Sequence, residues 1–209
     1  MDPTTKQRLK SILAQMSELD YIKPDSIPDI SLYMDQVTTF MESELETCKR
    51  YPDDKILTRT MINNYAKNDL IPPPDKKKYN KEHLLLLIFI YYLKSFLSIG
   101  DIRKILMPLS DRYFGTDGNL DLSAIYERIY ESEVGEASKV AKDLVVKYLR
   151  SKDTFDDLAA TEEDKDVLQL FSFFCTLSFD IYVKKQIVER MIDLLPEVTA
   201  EKDRKTGKK

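Results

Sequence analysis

The most restrictive feature of the sequence is an uninterrupted apolar run at residues 84–93, Leu-Leu-Leu-Leu-Ile-Phe-Ile-Tyr-Tyr-Leu. Its ten residues are too few to cross a bilayer as a helix, which needs about 20. Glu82, His83 and Lys94 flank the run, and His83 is expected as a surface or capping residue at the helix start. A helix that is apolar on every side has to be buried in protein. The run therefore predicts a core helix around which neighbouring segments pack.

An amphipathic helix is predicted at residues 58–68, upstream of this core helix. Thr58 can cap its first turn, and Asn68 or Asp69 can end it in the left-handed conformation. At about 100° per residue, one side carries the apolar residues Met61, Ile62, Tyr65 and Ala66. The opposite side carries cations and uncharged donors without an acid, namely Arg59, Thr60, Asn63, Asn64 and Lys67. Such a face suits base edges and phosphates in a major groove, and an ordinary solvated face would have the same pattern.

A stiff basic arm is predicted to follow this helix. The three prolines at residues 72–74 cannot continue a helix and favour an extended path. Lys76, Lys77 and Lys78 then place three cations at the tip, and Tyr79 can anchor the arm by packing. These cations suit phosphates beside the groove, with a solvated loop as the alternative. A short two-stranded wing around residues 71–79 is the only β-structure expected.

These segments carry a family resemblance. Residues 63–71, Asn-Asn-Tyr-Ala-Lys-Asn-Asp-Leu-Ile, look like Arg-Tyr-Tyr-Glu-Lys-x-Gly-Leu-Leu in the MerR family of bacterial transcription regulators. Lys77-Lys78-Tyr79 lies where that family's wing has Arg-x-Tyr, and residues 96–102 are similar to its Gly-Phe-Ser-Leu-x-Glu-Ile signature. More narrowly, the chain resembles a bacterial family of the YkrK type, a domain of unknown function usually called MerR-like. The resemblance implies a winged-helix head that binds DNA as a dimer.

The chain departs from the MerR pattern at positions that contact phosphate. Asn63 replaces the recognition-helix arginine, Asp69 replaces the helix-ending glycine, and Lys77 replaces the wing arginine. A lysine neutralises a phosphate without gripping it bidentately, so weaker affinity is expected. A tight helix-turn-helix has a turn of about three or four residues, whereas residues 42–54 intervene here. Either the turn carries an insertion or the first helix is unusually long.

Upstream of the head, residues 6–19 have helical apolar spacing, and a second helix is expected to begin at Ser31 or Asp35. The outer side of this second helix is acidic, with Glu42, Glu44 and Glu46. Because such a face repels DNA, we expect it on the far side of the head.

Downstream, Ser98 is predicted to cap a helix that ends at Leu106, before Pro108. Residues 110–119 contain two glycines and mark a domain boundary. Residues 122–149 then read as two helices or one kinked helix, and Thr161 opens a long apolar helix. The predicted parts are residues 1–108 with the DNA-binding head, residues 109–198 as a dimerisation or effector region, and residues 199–209 as a disordered basic tail.

Net charge has to be considered locally in this chain. The total is −4, but residues 58–94 contain seven bases and three acids, giving +4 there and −8 elsewhere. A basic surface on an acidic body is compatible with DNA binding, because the field at the contact decides.

The residue patterns that mark catalysis or bound metal are missing from the sequence. His83 is the only histidine, and the five glycines form no phosphate-binding loop. Cys48 and Cys175 lack neighbouring ligands and are expected as reduced thiols. The acids around residues 111–121 lack the order of a calcium loop. We therefore predict neither an enzyme nor a metal or cofactor site, and the absence of a signal peptide or anchor pattern predicts a cytoplasmic protein.

The sequence thus predicts an all-α fold with a winged helix-turn-helix head and a helical C-terminal region. The expected function is sequence-specific binding of double-stranded DNA in transcription regulation, by residues 58–68 in the major groove and residues 76–79 as the wing. A helical protein-interaction adaptor without DNA binding is the alternative. Residues 167–195 are more apolar than one neighbouring helix can cover, so they predict a homodimer, or a monomer whose own helices cover them. Whether an effector ligand exists is left open.

Overall fold

The computed structural model describes residues 3–16, 21–116, 118–158 and 161–196. A single small antiparallel sheet in these residues pairs β1, Leu32–Tyr33, with β2, Lys78–Tyr79. The remaining regular structure is helical: α1 Pro3–Met16, α2 Met34–Glu44, α3 Arg59–Lys67, α4 Lys81–Leu93, α5 Ile99–Tyr113, α6 Leu122–Glu133, α7 Glu136–Arg150 and α8 Glu162–Ile192, with three short 3-10 turns. The predicted all-α fold with one short two-stranded sheet is confirmed. Its position differs from the prediction, because only β2 lies within residues 71–79 and its partner is β1, far upstream in the chain. The tail predicted at residues 199–209 lies outside the described residues.

The described residues form two compact units. One contains residues 27–126 and 187–196, and the other contains residues 3–16, 21–26 and 127–186. The predicted boundary after residue 108 falls inside the first unit, and the functional division it was meant to mark stays a prediction.

Helix α4 is the core of the first unit, as the apolar run predicts. Each residue from Leu84 to Ile90 is at most 8% exposed. Asn80 caps the helix, since its side-chain oxygen accepts a hydrogen bond from the backbone N–H of His83 at 3.1 Å. In return, Nδ1 of His83 accepts one from the Asn80 backbone N–H at 3.2 Å. The capping role of His83 is confirmed, but its surface position is wrong, because the imidazole is 4% exposed between the rings of Tyr79 and Phe114.

Two helix ends differ from the prediction. Helix α2 begins after Tyr33, neither at Ser31 nor with Asp35 as its cap, because residues 32–33 are held extended by pairing with β2. Helix α5 is capped by Ser98 as predicted but runs through Pro108 to Tyr113. Pro108 removes one backbone donor, and it lies on the exposed side of α5, where water can solvate the carbonyl group that loses its partner.

The starts of α7 and α8 follow from the residues directly before them, Gly135 and Thr161. Gly135 has φ of 79° and separates α6 from α7, which settles the alternative between two helices and one kinked helix. Thr161 caps α8 by accepting a hydrogen bond from the Asp164 backbone N–H at 3.1 Å. Among the described helices, α8 is long and apolar enough to cross a membrane by length and composition, with 11% of its most apolar window buried.

A pH dependence follows from the buried imidazole. Burial lowers the pKa of His83, although the backbone of Pro72 and Pro73 partly offsets this effect. Because the unfolded chain binds a proton near pH 6.5 that the folded chain resists, His83 costs no stability above that pH and an increasing amount below it. Urea unfolding of the wild-type chain should therefore show stability falling from pH 7.5 to pH 5.

The variant His83→Phe keeps an aromatic ring between Tyr79 and Phe114 and has no titrating group. It should lose less stability than wild type over the same pH interval. Carboxylates titrate in both chains, and His83 is the only histidine in the sequence, so the difference isolates this side chain. Equal pH dependence of the two chains would contradict the prediction.

Candidate nucleic-acid interface

Helix α3 has the limits and the two faces that its sequence predicts. Thr58 is its N-cap, and the Thr58 hydroxyl accepts a hydrogen bond from the Met61 backbone N–H at 3.2 Å. Ile62 and Tyr65 are buried, and Met61 and Ala66 are half-buried. The exposed side carries Arg59, Thr60, Asn63, Asn64 and Lys67. The Thr58 oxygen is used as an acceptor in the cap, so the chief role of this side chain is to position the start of the helix.

The end of α3 is held by a backbone conformation unusual for its residue. Asp69 has φ of 55°, the left-handed stop that the sequence predicts after Asn68. Its carboxylate accepts a hydrogen bond from the Arg103 guanidinium of α5 at 3.2 Å. Asp69 thus adopts a conformation that favours glycine, and its side chain forms an ion pair that ties α3 to α5.

The basic arm ends in a tight turn at residues 75–78, which we call the lysine turn. The Lys78 backbone N–H donates to the Asp75 carbonyl oxygen at 2.8 Å. Lys76 and Lys77 have φ of 46° and 65°, so both central residues are left-handed, as in a type I′ turn. All three lysines are exposed. The turn projects two adjacent cations from a backbone that normally selects Asn-Gly.

The strand after the lysine turn fixes its direction. Leu32 pairs with Tyr79 and Tyr33 pairs with Lys78. Leu32 and Tyr79 are buried, whereas Tyr33 and Lys78 point outward, with the Lys78 ammonium 5.1 Å from the centre of the Tyr33 ring. The predicted role of Tyr79 as a packing anchor is confirmed, since its ring stands edge-on to His83 and is 3% exposed.

Two residues of the predicted site, Arg59 and Asn64, already contact other side chains of the same chain. The Arg59 guanidinium forms an ion pair with Asp35 in the first turn of α2, and both side chains are largely exposed. The Asn64 side-chain oxygen accepts a hydrogen bond from the Asn68 amide at 3.0 Å. Asp35 and Tyr33 could not be predicted as neighbours of the site, because a two-residue strand leaves no alternating pattern in the sequence.

Residues 45–56 lead from α2 towards α3, and we call this segment the insertion. Its first and last residues, Leu45 and Ile56, are buried, and α2 has 11 residues. Lys94, at the end of α4, donates to the Ile56 carbonyl oxygen at 2.7 Å. Burial lowers the pKa of Lys94 and, together with the neighbouring Cys48, raises the pKa of Tyr91 to about 12. Because α2 ends at Glu44, the expectation of an unusually long first helix is wrong, and a long connection separates α2 from α3.

The acidic side of α2 is not remote from α3. A groove of about 590 Å³ is lined by Glu42 and Glu46 as well as by Thr58 and Arg59. The Lys49 ammonium, from the insertion, forms an ion pair with Glu42. The expectation that the acids lie far from the proposed DNA-binding surface is wrong, because Glu42 and Glu46 line the same groove as Arg59. Any phosphate near Arg59 would meet these carboxylates.

Family membership can be assigned for the part of the chain that contains this surface. No curated protein and no solved structure matches the sequence. Residues 22–129 match a family model described as Domain of unknown function (DUF1836). The match spans β1, β2 and all of the helices α2–α5, and it covers more than half of the 209 residues. The chain belongs to the DUF1836 family.

Proposed function

We propose that this protein is a sequence-specific regulator that binds double-stranded DNA through a MerR-like winged helix-turn-helix head. In this proposal α3 enters the major groove and presents Thr60, Asn63 and Asn64 to base edges. The lysine turn contacts the phosphates beside that groove.

The observation that carries the proposal is the strained backbone of the lysine turn. A left-handed conformation costs an L-residue about 1–2 kcal/mol relative to the right-handed one. Lys76 and Lys77 both adopt it, although Asn and Gly would fit without that cost. Strained residues cluster at functional sites, and two exposed adjacent cations suit the charge of a phosphate backbone.

The neighbouring charges determine how the head would divide its contacts. Arg59 is paired with Asp35 and stands beside the groove that contains Glu42 and Glu46. We therefore assign phosphate contact chiefly to the lysine turn and Lys67, with Arg59 in a supporting role. Modest affinity with steep salt dependence is the expected result.

The exposed apolar surface of α8 favours protein association, which is the basis of the alternative function as an adaptor. Residues 167–195 expose large apolar side chains along their length, and such continuous patches mark interaction sites. These side chains are Val167, Phe171, Phe174, Phe179, Ile181, Tyr182, Val183, Ile187, Met191, Leu194 and Leu195.

We propose that a second copy of the chain covers this surface. Helix α8 is acidic in its first turn, at residues 162–164, and basic near its other end, at Lys184 and Arg190. Two copies in antiparallel orientation would place opposite charges together at both ends, which suits a two-fold symmetric pair. A dimer would present two heads to one duplex. We further propose a cytoplasmic location and a binding function without catalysis.

The lysine turn combines backbone strain with positive charge, and replacing its two central residues tests the contribution of each. The double variant Lys76→Asn, Lys77→Gly should raise the free energy of unfolding by about 1 kcal/mol, because it relieves left-handed strain. It should also weaken duplex binding and lower the salt slope by about two units, because two phosphate contacts are lost. Urea unfolding and fluorescence anisotropy at several salt concentrations measure the two effects. Increased stability with unchanged DNA binding would show that these lysines do not contact DNA.

Base readout by α3 is tested with single substitutions. Lys77→Ala should weaken binding about equally on all sequences and lower the salt slope by about one unit, whereas Asn63→Ala should cost about 1–3 kcal/mol on the preferred site alone. Lys142→Ala removes an exposed charge from α7 and serves as the control. Selection from random duplexes supplies the preferred site. If no preferred site emerges, or if both head variants lose affinity alike on every sequence, base readout is refuted.

The dimer is tested by sedimentation at micromolar concentration. The wild-type chain should have about twice the 24.4 kDa mass of one copy. Phe174→Glu, in the middle of the exposed surface, should give the mass of one copy with unchanged helix content. Ile30→Glu introduces the same charge at a similarly exposed apolar residue outside α8 and should remain dimeric. A wild-type chain that sediments as one copy rejects the dimer.

A further inference from the structure

We infer that the outward face of the β1–β2 ribbon is an additional phosphate-contacting site, in which Tyr33 donates its hydroxyl to the DNA backbone and holds Lys78 in register. This inference rests on the proposed function, since it extends the DNA contact to a residue outside α3 and the lysine turn.

Tyr33 is connected to both parts of the proposed interface, the lysine turn and the start of α3. On one side, Tyr33 is the strand partner of Lys78, which closes the lysine turn. On the other side, Asp35 is two residues further along the chain and forms the ion pair with Arg59 at the start of α3. Tyr33 is therefore tied to the lysine turn through the ribbon and to the start of α3 through α2, so a duplex that contacts both parts can reach it.

The Tyr33 side chain lies largely outside the packed core, which leaves it available to a ligand. Its ring is 54% exposed, whereas Leu32, next to it in the strand, is 6% exposed and Tyr79, the strand partner of Leu32, is 3% exposed. The backbone N–H of Tyr33 satisfies the start of α2 by donating to Gln36 Oε1 at 2.9 Å, which needs no particular side chain at position 33. An exposed tyrosine in a ribbon supplies a rigid ring and a hydroxyl donor, and tyrosine hydroxyls are common phosphate donors in protein–DNA interfaces.

Tyr33 also forms a cation–π contact with Lys78. The Lys78 ammonium lies 5.1 Å from the Tyr33 ring centre, which restricts a flexible side chain to the outward face of the ribbon. A lysine that is already oriented loses less freedom when it meets a phosphate. The pair thus acts as one unit, in which the hydroxyl and the ammonium approach neighbouring backbone positions on the duplex.

The chain contains a matched control for this pair. Tyr51, in the insertion, is 56% exposed, and the Arg50 guanidinium lies 5.1 Å from its ring centre. The two tyrosines have the same chemistry, similar exposure and the same distance to a cation. They differ in that Tyr51 is not on the ribbon. Truncating each one separates a specific contact from a general effect of losing an exposed aromatic residue.

The experiment measures duplex affinity of the full chain by fluorescence anisotropy on one DNA duplex at several salt concentrations. Tyr33→Ala should weaken binding by about 10-fold, because it removes both a donor to a charged group and the ring contact. Tyr33→Phe should weaken it less and leave the salt slope unchanged. Tyr51→Ala should bind as the wild type does, and thermal unfolding should show that the Tyr33 variants remain folded.

Coupling to Lys78 gives a readout that a structural role would not affect. In the Lys78→Ala background, Tyr33→Ala should have a smaller effect than in the wild-type chain, because the oriented cation is already gone. Equal losses for Tyr33→Ala and Tyr51→Ala, or additive losses for Tyr33 and Lys78, overturn the inference. If Lys77→Ala still weakens binding in that case, the proposed function stands and only the ribbon contact fails. A wild-type chain that binds no duplex overturns both.

Discussion

The all-round apolar surface of α4 is the constraint on which the described architecture of its unit depends. Residues 84–90 expose almost nothing, so apolar side chains from other elements have to approach this helix from several directions. Leu32 and Tyr79 are buried on the inner face of the ribbon, and Ile102 and Leu106 are buried on α5. The backbone N–H groups of Asn80 and His83 at the start of α4 are satisfied by the reciprocal Asn80–His83 hydrogen bonds, which allows an otherwise apolar segment to begin at a defined residue.

Short-range contacts hold the exposed residues of α3 and of the lysine turn in place beside the buried core. Asp69 ends α3 and is tied to α5 by Arg103, while the lysine turn leads directly into β2 and then into α4. Strain at Asp69, Lys76 and Lys77 is tolerated because buried residues on both sides of these positions fix the path of the chain. The proposed interface therefore consists of flexible side chains on a backbone with few alternatives, which is the arrangement that favours a defined binding geometry.

Sequence reasoning succeeded where the determining contacts are local and failed where they are distant. The limits of α3 follow from Thr58 and Asp69, and the burial of α4 follows from its composition, so both were predictable. The pairing of Tyr33 with Lys78 joins residues far apart in the chain and has too few residues to leave a pattern. The same limit applies to Glu42 and Glu46, whose position beside Arg59 depends on the path of the insertion. Pro108 misled for another reason, because an exposed helical proline can be solvated at its broken hydrogen bond.

The anchoring of the insertion has a consequence for how this head can diversify. Leu45 and Ile56 are buried at its two ends, and Lys94 holds the carbonyl group of Ile56 from α4. The spacing between α2 and α3 is thus set by these three attachments and not by the number of residues between them. Loop closure becomes only slightly less favourable as a loop lengthens. Lys49 is held by its ion pair with Glu42, whereas residues 50–53 are exposed. This exposed stretch can therefore change in length at little cost, and it offers a place to graft a foreign peptide or a reporter.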